Sequence, residues 1–424
     1  MTPPERLTVR GPEDILSFIP HSLGYWPAQS LVAMTLQGKR LGATLRLDLP
    51  GRDVLADPTV FARTVCGYLE ADENADGTLL ALFTNNGWLA GPGCYDTLLD
   101  GLELALDEAG MPVRDAWYVG DQYWRDARCI GPDCCPLPGR PVQEIRDSLL
   151  NTEMVFRGSS VGPAPEQRQP AGPVPGLHRA AVLEAEAVWS AQLDLRRQSR
   201  AQFAAVLGQW EAMLARPAEH LQRPSVQRDA FLRATLLVPA WRDAVLVMAA
   251  AGSAAAAAGA EEFGIFNDDA RLGAMAPAAE HGAPDEVPSA ADVPDALSFA
   301  PADFCTEGLL MSGHQAGNPA YGDILMGHDP AVPQWRGLDA LDLVLEHLAQ
   351  LGGPSAAAAL TGRGWIAWCR GRGSYSAAYL GEALETEPGY RLAELLLELV
   401  RRGTLCGWAA RKEAAWQKFG PDAA

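Results

Sequence analysis

The amino-acid sequence predicts two structural classes in one chain. An α/β domain with a mixed sheet comes first, and an α-helical C-terminal region with a tetratricopeptide-like helical hairpin follows. Up to about residue 160, strand patterns alternate with helical patterns, and beyond residue 178 the apolar periodicity is helical. A chain of 424 residues that is 48% hydrophobic can bury a sizeable core in each region.

The N-terminal elements follow in order along the chain. A short strand at residues 7–9 precedes Gly11-Pro12, where proline and two acidic residues predict the start of a helix. Two β-rich runs flank Gln37-Gly38-Lys39-Arg40 and predict a hairpin. The later predictions are a helix at 58–69, a strand at 78–83, a helix at 95–109 and strands at 116–120 and 122–127. Strands that alternate with helices, together with one hairpin, favour a layered α/β domain with a mixed sheet.

Composition divides the whole chain into five segments. We predict a mixed α/β domain at 1–160, a linker at 161–177, a helical region at 178–260, an acidic segment rich in Pro, Ala and Gly at 261–330, and a helical region at 331–424. Between residues 261 and 310, eleven acidic residues accompany a single arginine, Arg271. Few large apolar residues are present there to offset the entropy of ordering, so the acidic segment is predicted to be mobile.

The C-terminal region carries a spacing typical of helical repeats. Gly364, Gly371, Ala383, Leu384 and Pro388 match the small and terminating positions of a tetratricopeptide unit. Small residues would let two antiparallel helices approach, and the proline would end the second helix. Only one such unit is visible, whereas stable arrays need about three, so an ordinary bundle of helical hairpins is an equal alternative.

Charge and hydropathy limit the classes of partner. A net charge of −19 argues against nucleic acid, because phosphate binding needs basic surface. No run of large apolar residues is long enough to span a membrane, and the N-terminus lacks the pattern of a signal peptide, so we expect a cytoplasmic location. A protein, as yet unidentified, is the expected partner.

Three short motifs match known signatures but stand in the wrong context. Gly38-Lys39 lies in the hairpin turn rather than in a P-loop, and Gly362-Arg-Gly364 opens a dinucleotide pattern that follows a helix instead of a strand. Gly158-Ser-Ser160-Val-Gly162 matches a nucleophile elbow, but a Pro-rich stretch follows where a helix is required. We interpret all three as chance matches and expect no cofactor.

Four polar residues near the N-terminus are candidates for ligand binding: Arg10, Asp14, His21 and Ser30. Strand ends and first helical turns are where α/β folds place ligand sites, and a Ser–His pair could act as nucleophile and base. The alternative is purely local: Arg10 pairs with Asp14, His21 caps the end of the helix and Ser30 begins the next strand.

A cysteine cluster at Cys129, Cys134 and Cys135 is the candidate for redox chemistry. The turn at Gly131-Pro132 could bring Cys129 close to either of the others. The favoured alternative is a turn whose small thiols pack inward. The spacing does not suit tetrahedral zinc, so no metal is expected there.

Trp365 and Trp368 are the candidates for a protein interface. They are three residues apart and share one helical face, and tryptophans in a groove between helices supply much of an interface's binding energy. The alternative is that this face packs on the helix beginning at Leu338, which would make both tryptophans part of the core.

Three stretches of sequence carry a resemblance to a known family. They are Arg10-Gly-Pro-Glu-Asp14 with Pro20-His21-Ser-Leu23-Gly24, the cysteine segment from Cys129 to Pro136, and the tail from Gly371 through Pro388-Gly-Tyr390. They resemble an actinobacterial family of unknown function, domain of unknown function 4192. The resemblance implies a cytoplasmic bacterial protein and no particular activity. It also implies that an aromatic residue can stand at the position of His21, which weakens a catalytic role for the histidine.

Two functions are therefore open. The first is a non-catalytic interaction or regulatory protein, favoured because no catalytic motif stands in a supporting context. The second is an enzyme or small-molecule binder whose site lies on the N-terminal domain. Convergence of Arg10, Asp14, His21 and Ser30 in one cleft would favour the second.

Overall fold

A computed structural model describes residues 9–86, 93–129, 131, 135–167, 176–267, 272–277 and 321–417. The chain divides into two compact units, Met1–Arg168 and Gln169–Ala424. The first combines a mixed sheet with helices and the second is helical, which confirms the predicted fold class. Most of the predicted strand at 7–9 and most of the acidic segment at 261–310 lie outside the described residues.

Six strands of the described residues form the sheet of the first unit, in the order β2-β1-β3-β4-β5-β6. Their bounds are β1 Ser30–Gln37, β2 Arg40–Asp48, β3 Gly77–Phe83, β4 Val113–Val119, β5 Tyr123–Asp126 and β6 Arg140–Pro141. Only β3 and β4 pair in parallel, and every other neighbouring pair is antiparallel. The predicted hairpin is β1–β2, and β6 was not predicted because two residues carry no periodicity.

Helices cover both faces of this sheet. Their bounds are α1 Pro12–Leu23, α2 Arg52–Ala56, α3 Thr59–Leu69, α4 Asp96–Glu108, α5 Gln143–Arg146 and α6 Leu149–Phe156. Side chains of α3 and α4 pack with Leu80 and Leu82 of β3 on one face. Residues of α1 and α5 pack with Leu79 and Phe83 of the same strand on the other face. Successive strand residues point to opposite faces, so a strand that is almost entirely apolar, such as β3, can be buried between two helical layers.

The segment after α6 belongs partly to this unit, although the sequence predicted a linker from residue 161. The backbone N–H of Gly162 donates to the carbonyl of Gly24 at 2.9 Å, and Tyr25 and Gly162 form an isolated parallel bridge. Ser159 and Pro165 are buried. Residues 168–175 lie outside the described part of the chain.

Eleven described helices build the second unit. Their bounds are α7 Gly176–Asp194, α8 Arg200–Ala215, α9 Pro217–Leu221, α10 Val226–Leu236, α11 Pro239–Ala251, α12 Ser253–Glu262, α13 Tyr321–Leu325, α14 Trp335–Gln350, α15 Ala356–Cys369, α16 Gly373–Thr386 and α17 Arg391–Arg401. Every residue of α15 is buried. Apolar residues stand on all sides of this helix, so its neighbours can enclose it, and its one charged side chain, Arg363, pairs with Asp342.

The predicted helical hairpin is formed by α15 and α16. A Cβ atom added at Gly364 would lie 2.7 Å from Cγ of Leu380, so glycine is what permits this close approach. Gly371 adopts a left-handed φ of 71° in the turn, and Pro388 follows the end of α16. These contacts establish a helical hairpin of this unit and do not establish a tetratricopeptide repeat.

Among the described helices, none alone has both the length and the hydropathy needed to cross a bilayer. Helices α10 and α11 have the necessary length and hydropathy only as a pair, and the chain bends by 104° at the break between them.

Candidate functional site

None of the four ligand candidates lines the cleft that is described below. Asp14 is buried, and its carboxylate accepts backbone N–H groups of Arg10 at 2.9 Å and Leu150 at 3.2 Å. The carboxylate therefore ties the start of α1 to the first turn of α6. Arg10 therefore pairs with Asp14 through its backbone N–H and not through its guanidinium.

Ser30 begins β1, as the local alternative expected, and its hydroxyl is engaged there. It donates to the carbonyl of Ala28 at 2.7 Å and accepts from Nε of Arg46 on the neighbouring strand at 2.9 Å. Ser30 is therefore not the serine that pairs with His21.

His21 bonds instead to two residues that the sequence did not single out as its partners. Its Nδ1 lies 2.9 Å from Oγ of Ser159, and its Nε2 lies 2.8 Å from Oδ1 of Asn151. The amide nitrogen of Asn151 donates to the carbonyl of Arg146 at 2.6 Å, which turns Oδ1 toward the imidazole. Oδ1 can only accept, so Nε2 carries the proton, and in the neutral ring Nδ1 accepts from the Ser159 hydroxyl.

Both partners of His21 are positioned by the two ends of α6. Ser148 caps the first turn by accepting from the N–H of Asn151 at 3.1 Å. At the other end Gly158 has a left-handed φ of 84°, and the N–H groups of Gly158 and Ser159 donate to the carbonyls of Val155 and Met154. This pair of bonds is a Schellman motif, which brings Ser159 back against the helix.

A cleft of about 260 Å³ opens beside these residues. It is lined by residues of α1, of α5 and α6, and of the segments that follow α1 and α6: Ser17, Pro20, Trp26, Ile145, Arg146, Asn151 and Val161. Asn151 both lines the cleft and bonds to His21, and Val161 lies two residues after Ser159. The cleft and the Ser159–His21–Asn151 cluster are therefore neighbours.

Arg146 supplies the positive charge of the cleft. Its guanidinium lies over the ring of Trp26, with its central carbon 5.1 Å from the ring centroid, and Trp26 packs edge-on against Phe83 at the end of β3. The sheet thus fixes the indole, and the indole orients the guanidinium. Within the part of the chain that the structure describes, Arg146 forms no ion pair with a carboxylate. An exposed arginine stacked on an aromatic ring keeps its forked N–H donors available for an anion.

The sequence contained a signal for one of the two missed residues. Ser159 stands inside Gly158-Ser-Ser160-Val-Gly162, the match to a nucleophile elbow that we interpreted as chance. Ser160 is the central residue of that pattern, but it is the adjacent serine that bonds to His21. The structural context of this segment differs from that of a nucleophile elbow, because the segment follows a helix, α6, whereas an elbow follows a strand. No signal pointed to Asn151.

The predicted redox cysteines are only partly described. Cys129 and Cys135 are half-buried, and Cys134 lies outside the described residues. The N–H of Cys129 donates to the carboxylate of Asp126, and the N–H of Cys135 donates to the carbonyl of Gly131. A redox role for the three cysteines stays a prediction.

Two other cysteines, which the sequence did not single out, are hydrogen-bonded in the second unit. Cys369 of α15 and Cys406 are both buried free thiols. Burial raises the pKa of Cys369 well above its ordinary value, and the hydrogen bond from Cys369 lowers the pKa of Cys406. Among the described residues, no three His, Cys, Asp or Glu side chains are placed to hold a metal ion.

Trp365 and Trp368 are buried inside the second unit, as the core alternative expected. They are 2% and 3% exposed. Their indole N–H groups donate to the carbonyls of Leu325 and Thr404 at 2.8 and 2.7 Å. Their faces are occupied by the chain itself, so they offer no surface to a partner in this structure.

Comparison with known proteins identifies the family and no relative with an assigned role. The model of the family described as Domain of unknown function (DUF4192) matches residues 12–261 and 332–405. These ranges cover most of the chain and include His21, Arg146, Asn151 and Ser159, so the chain belongs to this family. No curated protein and no solved structure matches it.

Proposed function

We propose that this member of the family is a small-molecule-binding protein that takes a small anion in the cleft beside α5 and α6. The observation that carries the proposal is Arg146, a cation that stacks on Trp26, lines the cleft and has no carboxylate partner among the described residues. Carboxylates and phosphates suit it because the planar guanidinium can donate two parallel N–H bonds to either group.

The rest of the lining supports an anion with an apolar part. Ile145 is buried, and Pro20 and Trp26 add apolar surface, while the hydroxyl of Ser17 donates to the carbonyl of Asp14 and can still accept. A volume of about 260 Å³ is small, so the ligand should have only a few heavy atoms beyond its charged group. A regulatory role fits this proposal, since binding would act on the same helices that hold the segment around Ser159.

The proposal is tested by titrating the full-length protein with inorganic phosphate, acetate and benzoate by calorimetry. We expect at least one of them to bind, and Arg146→Gln to weaken that binding about tenfold or more, because a charge-assisted bidentate contact is lost. Arg157→Gln is the matched control, since Arg157 is another arginine of this unit, pairs with Glu153 and does not line the cleft. Equal affinity in the wild type and Arg146→Gln, or binding by none of the three anions, would contradict the proposal.

A protein partner remains the second candidate function and is also a proposal. The sequence-based argument for a protein partner rested on the acidic composition and on Trp365 and Trp368. Both tryptophans are buried, so they no longer support a protein interface. The anion-binding cleft is therefore the better supported of the two.

A further inference from the structure

We propose that Ser159, His21 and Asn151 form an acyl-transfer site, in which Ser159 is the nucleophile, His21 the general base and Asn151 the group that orients the base. The substrate class is a small ester whose acid part carries a negative charge. This choice of class rests on the anion-binding function proposed above, whereas the assignment of the three residues rests on their own geometry.

The nucleophile and base are in hydrogen-bond contact without any rearrangement. Oγ of Ser159 and Nδ1 of His21 are 2.9 Å apart, which lies within the range required for proton transfer. His21 is 1% exposed and Ser159 is 7% exposed, so little water competes for this contact. A serine activated by an adjacent imidazole is the usual way to obtain a strong oxygen nucleophile at neutral pH.

The third residue fixes the imidazole in the form that a base requires. Nε2 of His21 donates to Asn151, whose amide is held in turn by the carbonyl of Arg146. This leaves the lone pair of Nδ1 directed at the Ser159 hydroxyl. Asparagine performs the same orienting role beside histidine in papain-like proteases, so a neutral amide is sufficient in this position.

Donors for a developing oxyanion lie immediately after the nucleophile. Among the described residues, the backbone N–H groups of Ser160 and Val161 have no hydrogen-bond partner. Val161 also lines the cleft, as does Asn151. An unpaired N–H directly following a nucleophilic serine is a common component of an oxyanion hole.

The reaction balances without a further reagent. Oγ of Ser159 bonds to the ester carbonyl carbon while its proton moves to Nδ1 of His21, and collapse of the tetrahedral intermediate breaks the bond to the alcohol, which takes that proton. Water then attacks the acyl-serine and gives one proton to His21. His21 returns this proton to Oγ of Ser159 as the carboxylic acid leaves. The net change is an ester and water giving an acid and an alcohol.

The test is covalent labelling of the full-length protein with a neutral fluorophosphonate, followed by peptide mapping by mass spectrometry. Attack by the serine forms an O–P bond and expels fluoride, so a single adduct on Ser159 is expected. Ser159→Ala should abolish it, and His21→Gln should slow it about 100-fold or more because the base is lost. Thr152→Ala is the control: Thr152 is the residue after Asn151 on α6, its hydroxyl donates to the backbone carbonyl of Ser148, and labelling should continue at the wild-type rate.

Each outcome has a definite meaning. No adduct in the wild type, or an adduct on a residue other than Ser159, overturns the proposal, and neither result depends on whether a variant folds. Thermal unfolding of each variant shows whether a lost adduct reflects lost structure. The probe is neutral, so Arg146→Gln should still be labelled, and Ser159→Ala should still bind the anion that the wild type binds. Failure of the acyl-transfer site is therefore distinguishable from failure of anion binding.

Discussion

At the residue scale, Asp115 on β4 is a strongly perturbed carboxyl group outside the candidate site. Burial raises its pKa to about 6, and the neighbouring carboxylate of Asp126 contributes to the same shift. The carboxylate of Asp126 accepts the backbone N–H groups of Arg128 and Cys129, and these hydrogen bonds favour its charged form. The ionised form of Asp115 is therefore unfavourable in the folded protein, and its neutral form is favoured.

The first prediction follows from the sign of this shift. A carboxyl group with a raised pKa contributes stability that is complete below its ordinary pKa of 3.8 and is lost as the pH rises through about 6. We expect Asp115→Asn to be more stable than the wild type at pH 8, by about 1 kcal/mol once solvent screening of a half-buried group is allowed for. The two proteins should converge toward pH 4. Urea unfolding between pH 4 and 8 measures this difference, and a gap that does not grow with pH would contradict the prediction.

The hydrogen-bond partners of His21 were the part of the site that could not be predicted from the sequence. Asn151 and Ser159 lie 130 and 138 positions from His21 along the chain, and no periodicity links residues so far apart. Local reasoning therefore paired His21 with Ser30, which the structure places at the start of a strand and bonds to Arg46. Residue type was informative, since a histidine paired with a serine was one of the two interpretations of this segment, but the serine that bonds to His21 is Ser159 and not Ser30.

At the element scale, the contact between α15 and α16 depends on a single glycine. A Cβ atom at Gly364 would lie 2.7 Å from Leu380, which is closer than packed side chains tolerate. Gly381 lies on α16 and has open space around it. The two positions have the same residue type and both are helical, but only one of them is at the interface.

The second prediction uses this pair of glycines. Gly364→Ala should destabilise the protein by about 1–3 kcal/mol, because α15 and α16 must move apart or Leu380 must leave its rotamer. Gly381→Ala should be neutral or stabilising by up to about 1 kcal/mol, because alanine favours the helix and meets no neighbour. Chemical denaturation followed by circular dichroism gives both values. A stabilising Gly364→Ala would show that the helices are not held this closely.

The elements that the sequence identified are the long and strongly patterned ones. Helices α3 and α4 and the hairpin β1–β2 were predicted to within a few residues, because their apolar residues repeat over two or more turns or along a full strand. Helices α5 and α6 have four and eight residues and were missed, since so short a helix shows little periodicity. These missed helices hold Arg146 and Asn151, and so the site is built largely from the elements that pattern reasoning detects least well.

At the scale of the whole molecule, the end of the first unit is set by tertiary contacts rather than by composition. The sequence from Ser159 onward is rich in Gly, Pro and Ser, which is typical of a linker. The structure nevertheless uses this stretch: Ser159 bonds to His21, Gly162 pairs with Gly24, and Pro165 is buried. Composition describes the average behaviour of a segment and does not detect three specific contacts.

The last prediction concerns where a self-sufficient N-terminal fragment ends. The hydrophobic clusters on both faces of the sheet contain only residues of the first unit, so we expect residues 1–168 to fold and unfold cooperatively when expressed alone. Ending the fragment at Arg157 removes Ser159 and Gly162 and leaves His21 buried without one of its partners. Since an unsatisfied buried polar group costs about 1–3 kcal/mol, the shorter fragment should melt about 5 °C or more below the longer one. Equal melting temperatures of the two fragments would mean that residues 158–168 contribute no stability to the first unit.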